Sequence, residues 1–303
     1  MFALQHIKAA TLSVFVRTTE RGLWMNYLEF KEGILFKIRT SKVVRALVYP
    51  YMNFKRVSGK RKYAHTPDAA FIRSLKDTKK GKRCFIIGNG PSLTAADLDK
   101  LQAEDTFAFN RIYYMFDRTD WRPTYYMCVD VGVLGMNLPE IEKLGLPTII
   151  LSDIARKNVK KQADNIHYLY DFTKFKLNRW AFDPPYISED CSDHFCLCFT
   201  VTFDAIQLAI YMGYTEIYLL GVDHSYSVTA DAKGRIKKDE SVRDYFEGLE
   251  KTAITAQNYE ATTAAFNVAR VYADAHGITI KNATRGGKLE AFERVEFDTL
   301  FEM

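Results

Sequence analysis

At 303 residues, 48% apolar and 26% charged, the chain has the composition of an ordinary globular protein, long enough for one large domain or a domain with an appendage. No apolar run approaches the ~18–20 residues that a membrane-spanning helix needs. Charge is unevenly placed: residues 1–80 hold 17 Lys+Arg against 5 Asp+Glu, and the remainder 25 against 32, the pattern of a basic appendage on a mildly acidic body.

The first segment, "MFALQHIKAATLSVFVRTTERG", is interrupted by His6, Lys8 and Arg17 and does not read as a signal peptide. Five cysteines, an odd number in a large chain, point to reduced thiols and a cytoplasmic setting. Residues 10–47 show helical periodicity. The stretch "KVVRALVYPYMNFKRVSGKRKY", ending at Tyr63, mixes basic residues with Tyr49, Tyr51 and Phe54. It suits an anionic lipid surface, a polyanionic glycan, a cover over the main domain, or a solvated basic helix and linker. Nucleic acid is disfavoured, because no recognition motif accompanies the charge. "HTPDAAFIRSLKDTKKGKR" (65–83) gives a short helix and a charged connector. The expected division is a basic helical N-terminal extension over 1–80 and a nucleotide-binding domain over 81–303.

From residue 84 the pattern changes. Buried strands are expected at 84–88, 106–110, 124–130, 147–152, 166–170, 216–223 and 278–284. Between them, Thr94 and Asp97 have capping-box spacing for a helix over 92–101. An apolar helix over 200–214 ends at Gly213, and a long helix over 258–277 ends at Gly277. Short strands alternating with helices predict an α/β fold with a mostly parallel sheet wound on both faces. Ligands of such sheets bind beyond the carboxyl ends of the strands, where strand order reverses. The polar residues there are Asn89, Asn110, Asp130, Ser152 and Asp223.

The first strand runs into Gly88-Asn89-Gly90-Pro91-Ser92. Glycines beside a helix start let a phosphate approach backbone amides. A dinucleotide fingerprint would want a third glycine near 93 and an acid ending the second strand; the chain has Leu93 and Asn110. No P-loop pattern is present. "CSDHFCLC" (191–198) groups possible zinc ligands at a spacing that fits no common site. Asp97-Leu98-Asp99 falls inside a helix, where its two carboxylates diverge.

"IIGNGPSL", "FAFNRIYY", "TFDAIQLAIYMGY" and "EIYLLGVDHSY" resemble the bacterial lipooligosaccharide sialyltransferases and the proteins grouped with archaeal 6-hydroxymethylpterin diphosphokinase. The resemblance covers roughly residues 82–301. It implies a Rossmann-like fold that binds a CMP-linked sugar without metal. It places Asn89 and the amides around Gly90 at the nucleotide, with Asn110 and Thr200 as donor contacts. Asp130 stands where the sialyltransferases have asparagine, and Tyr226 near tyrosines that bind the departing phosphate. Their catalytic histidine has no counterpart between residues 225 and 275, so His224 and Asp244 are the candidate bases.

The leading expectation is a metal-independent glycosyltransferase of cell-envelope polysaccharide or lipooligosaccharide synthesis. It would use a nucleotide-sugar donor and a glycan or glycolipid acceptor, with residues 1–80 against the membrane. The donor set is Gly88, Asn89, Gly90, Pro91, Ser92, Asn110, Asp130, Thr200 and Asp223; the catalytic set is His224, Asp244 and Tyr226. Alternatives are diphosphate transfer from ATP with Mg²⁺ held by Asp130 and Asp223, and a non-catalytic nucleotide-binding relative.

Overall fold

The computed structural model describes residues 42–159, 163–171, 185–198, 200–231, 235–249 and 256–302; the helical periodicity expected before residue 42 lies outside them. Eight strands form one sheet in the order β10-β9-β6-β1-β2-β3-β4-β5. In chain order these are β1 (Arg83–Ile87), β2 (Thr106–Phe109), β3 (Tyr125–Cys128), β4 (Ile149–Ser152), β5 (Ile166–Leu169), β6 (Glu216–Leu220), β9 (Thr279–Asn282) and β10 (Glu293–Arg294). All seven neighbouring pairs are parallel. The remaining two strands, β7 (Val228–Ala230) and β8 (Ile236–Lys238), form a separate antiparallel pair.

The central strands are apolar on both sides because both faces are covered, as parallel sheets require. Side chains alternate along each strand. Cys84 and Ile86 of β1 face one core; Phe85 and Ile87 face the other. The first core is closed by α5 (Val201–Met212) and α6 (Tyr259–Ala275), through Phe203, Ile206, Phe266 and Ala269. The second is closed by α3 (Ala95–Asp99) and α4 (Val131–Ile141), through Leu98, Leu134, Leu138 and Ile141. This is the doubly wound Rossmann-like arrangement. Strand order reverses between β1, which leads to β2, and β6 on its other side.

Local chemistry sets several boundaries. Thr94 and Asp97 form the reciprocal capping box at α3. Gly213, at φ +91°, ends α5 in the left-handed conformation that glycine adopts without strain.

The expected boundary at residue 81 falls after residues that the sheet already holds. Helix α1 (Lys42–Tyr63) continues through Pro50, and α2 (Pro67–Ser74) follows it. Ile72 is fully buried in the first core. Edge strand β5 leaves backbone groups without a neighbouring strand, and this segment supplies partners. Tyr168 N donates to Asp68 Oδ1 at 3.1 Å, and Tyr63 Oη donates to Tyr168 O at 2.9 Å. Arg156 pairs with the other Asp68 oxygen. Within the described part of the basic segment, α1 from Arg56 onward packs on the domain, and Ala46, Pro50, Tyr51, Asn53, Phe54 and Lys55 are exposed.

Candidate functional site at the strand-order reversal

Beyond β1 and β6, two loops continue the sheet by backbone contact. Gly88 N donates to Leu220 O at 2.8 Å, and Gly90 N donates to Gly221 O at 2.9 Å. A Cβ on Gly88 would stand 2.2 Å from Gly221 O; one on Gly90 would stand 1.8 Å from Asp223 Oδ2. Ser92 Oγ then donates to Asp223 Oδ2 at 2.7 Å. This corrects the expectation that Gly88 and Gly90 offer amides to a phosphate. The Gly88 amide is taken by β6 and the Gly90 amide by the loop after it, and the space that a side chain would need is filled by the Gly221-Val222-Asp223 loop. The two sequence motifs are halves of one interlock.

The opposite wall is built from strand ends and helix caps. Asn110, after β2, sits at φ +55°, accepts a hydrogen bond from Tyr126 Oη at its carbonyl (2.5 Å), and faces Cys128 Sγ with its side-chain oxygen. Asp130 caps α4, its Oδ1 accepting from Gly132 N and Val133 N at 2.7 and 2.9 Å. Ser152 caps the 3-10 turn after β4, and Thr200 caps α5, accepting from Thr202 N. Asn89 spans the walls: its Nδ2 donates to Phe109 O at 3.0 Å, and its buried Oδ1 has no partner among the described residues.

The rim carries the candidate catalytic groups. His224 is buried at φ +51° and stacks on Tyr259, ring centroids 4.3 Å apart. Its Nε2 lies 2.8 Å from Thr263 Oγ1, whose own hydrogen goes to Tyr259 O. Nε2 therefore carries the ring hydrogen, and Nδ1 is left to accept from Tyr226 Oη at 3.4 Å. Burial lowers the His224 pKa to about 4, so the ring is neutral near pH 7. Burial also pushes Tyr226 up, reinforced by Tyr259 and Tyr245. Asp244 accepts from Ser227 N at 2.6 Å and Ser227 Oγ at 2.5 Å.

These elements enclose a cavity of about 380 Å³, within the range of small-molecule sites. Gly88, Asn89, Gly90, Asn110, Asp130, Thr200, Asp223, His224, Tyr226 and Asp244 all line it. Pro91 and Ser92 do not; Ser92 acts through Asp223. Sequence reasoning missed Asp171, Cys198, Thr202, Tyr245 and Gln257 on the lining. For Asp171 and Thr202, a polar residue beside a strand end or helix start was the available signal; nothing local marked Tyr245 or Gln257.

The lining contains four carboxylates, Asp130, Asp171, Asp223 and Asp244, and no Lys or Arg among the described residues. Burial raises the pKa of Asp223, partly offset by Ser92. Behind the α5 wall, Asp204 is fully buried, its Oδ2 lacks a described partner, and burial beside Asp171 raises its pKa strongly. Asp97 and Asp99 lie elsewhere, in an ion pair with Arg285 and a hydrogen bond from Thr119. Cys191, Cys196 and Cys198 are thiols; Cys191 and Cys196 are buried, and His194 pairs with Asp193. No group of three or more His, Cys, Asp or Glu arranged to hold a metal ion occurs among the described residues.

A parallel sheet wound on both faces, with a cavity where strand order reverses, defines a Rossmann-like protein. Residues 60–229 match the profile of the family described as 6-hydroxymethylpterin diphosphokinase MptE-like, and the chain belongs to that family. Comparison with curated proteins gives no match. Among solved structures, the chain is similar to the MAf glycosyltransferase from Magnetospirillum magneticum AMB-1. The TM-score is 0.46 and the identity 14%, over 75% of this chain and 38% of that one. No helix among the described residues is long and apolar enough to cross a membrane.

Proposed function

We propose that the chain is a glycosyltransferase that takes a nucleotide-linked sugar, CMP-linked in the first instance, into the cavity between β1 and β6. The observation that carries this reading is the lining: four carboxylates and no described cation. Carboxylates only accept hydrogen bonds, so they need donors or a cation opposite them. Ribose and sugar hydroxyls supply many donors, and a CMP-linked donor brings a single phosphate. The N-terminus of α5, a 12-residue helix capped by Thr200 on the cavity wall, favours negative charge through its dipole. The free Oδ1 of Asn89 accepts from a further ligand hydroxyl or amine.

In this reading Asp244 takes the proton of the acceptor hydroxyl as its oxygen forms the new bond to the anomeric carbon. The bond from that carbon to the phosphate oxygen breaks, and the phosphate leaves with the electron pair beside the Tyr226 hydroxyl, whose hydrogen turns from His224 Nδ1 to the phosphate oxygen. His224, with both ring nitrogens engaged and its basicity suppressed, positions Tyr226 instead of acting as the base.

The same carboxylates favour a second reading, diphosphate transfer with ATP as the donor; the family's description names a diphosphokinase. Asp130 makes its described bonds through Oδ1 and Asp223 through Oδ2, so each has a second oxygen to offer Mg²⁺. Both carboxylates line the cavity, and a cation of this kind takes one or two carboxylates beside substrate phosphates. Asp130 and Asp223 would hold the ion, which would supply positive charge opposite the transferring phosphates.

Thermal unfolding with CMP, CMP-sugars, UDP, GDP and ATP, each with and without Mg²⁺, separates the two. Stabilisation by CMP and CMP-sugars without divalent cation is the expected result, about 2.7 kcal/mol at a hundredfold excess over Kd. A shift with ATP and Mg²⁺ alone would transfer the assignment to the second reading. With the donor identified, Asp244→Asn is expected to retain the ligand-induced shift and lose transfer.

A further inference from the structure

We propose that the N-terminal half of α1 is a docking surface for anionic membrane, fixed rigidly to the cavity side of the domain. Helix α1 carries seven basic residues (Lys42, Arg45, Lys55, Arg56, Lys60, Arg61, Lys62) and no acidic one. Its two halves differ in what they touch. From Arg56 onward it is bolted to the β5 edge: Tyr170 Oη donates to Arg56 O at 2.7 Å, and the Tyr170 ring fills the space beside Gly59. Tyr63 stacks on Tyr170, and Lys60 pairs with Asp193.

Before Arg56 the side chains that the structure describes are exposed. Tyr51 is 57% exposed and Phe54 71%. Ala46 and Pro50 are also exposed, on the i, i+4, i+8 row that Phe54 completes. Lys55, itself exposed, sits over the Tyr51 ring at 5.3 Å. Aromatic rings beside cations on an acid-free helix suit the boundary between acyl chains and anionic headgroups.

Charge decides among possible occupants. Residues 1–41 hold 6 Lys+Arg against 3 Asp+Glu and offer this helix no complement. A lipid surface rich in phosphate does. The attachment has a geometric consequence: Tyr170, which clamps the helix, immediately precedes Asp171 on the cavity wall. Docking therefore holds the cavity at a set position relative to the bilayer surface. This inference does not depend on which group the cavity transfers.

Flotation of the full chain with vesicles tests it. Binding is expected with phosphatidylcholine containing about one-third phosphatidylglycerol, not with phosphatidylcholine alone, and is expected to weaken with salt. Lys55→Gln is expected to lower affinity about five-fold. The double variant Tyr51→Ser, Phe54→Ser is expected to lower it about ten-fold. All these side chains are exposed, so unchanged melting temperatures accompany the losses. Equal binding to neutral vesicles, no binding, or affinity indifferent to these substitutions would overturn the proposal. A dimer in solution that Lys55→Gln and Phe54→Ser dissolve would also overturn it, assigning the surface to a second copy.

Discussion

The two walls of the cavity are made of different material. The β1/β6 wall is backbone against backbone: Gly88 and Gly90 lie so close to Gly221 and Asp223 that no side chain fits between them. The wall formed by β3, β4 and α5 is side chain against helix end, with Asp130, Ser152 and Thr200 each holding its own first amides. A backbone interlock has one solution and fails when it is obstructed. A side-chain cap is a modest local preference that can be traded for another.

Obstructing the interlock sharpens that contrast most. Gly90→Ala is expected to destabilise by about 3 kcal/mol or to abolish folding, since the clash meets the Gly221 backbone and a buried carboxylate. Gly88→Ala, blocked by the Gly221 carbonyl, belongs to the same class; urea denaturation checks both. Unfolding no easier than in the wild type would place the interlock among tolerant features.

The rim yields the next effect. His224 has a folded-state pKa of about 4 against an ordinary value of 6.5. Its contribution is therefore fully present above about pH 6.5 and is lost as pH falls toward 4, on the order of 3 kcal/mol in all. Asp204 has the opposite sense. Its pKa is raised, so the unfolded carboxyl ionises first and stability falls as pH rises above its ordinary range. Urea midpoints across pH 4–7 should lose their acid-side fall in His224→Gln and rise at neutral pH in Asp204→Asn. Parallel pH curves for both variants and the wild type would refute both assignments.

The smallest effect is on the capped wall. Thr200→Ala and Asp130→Ala are each expected to cost about 1 kcal/mol, with Thr200→Ser close to neutral. Losses as large as those at the glycines would erase the distinction between the walls.

What could be read from the sequence follows the same division. Seven of the eight strands of the sheet were legible because a parallel sheet covered on both faces demands continuous apolar runs such as Cys84–Ile87 and Ile217–Leu220; β10, two polar residues at the edge, carries no such run. The α3 capping box and the end of α5 were legible because they are local. Helix α4 was not, since Gly132, Gly135 and Pro139 blur its periodicity, although Asp130 was its cap. The β7–β8 pair is too short to show alternation. The work of Gly88 and Gly90 was hidden because the atoms that exclude a side chain belong to residues far along the chain. The constraint on His224 was hidden likewise, since its partner Thr263 lies in α6.

Arg83 of β1 pairs with Glu216 of β6, 133 positions later, whereas β1 to β5 pair with sequence neighbours. Joining the reversal therefore requires closing the longest loop in the central sheet, and non-local closure is slow. A half folded as β1 to β5 would have the caps of Asp130 and Ser152 and the glycines of the first motif, but no cavity. The site becomes complete at the step that joins the two halves, so ligand binding during refolding reports the closure of that central pair.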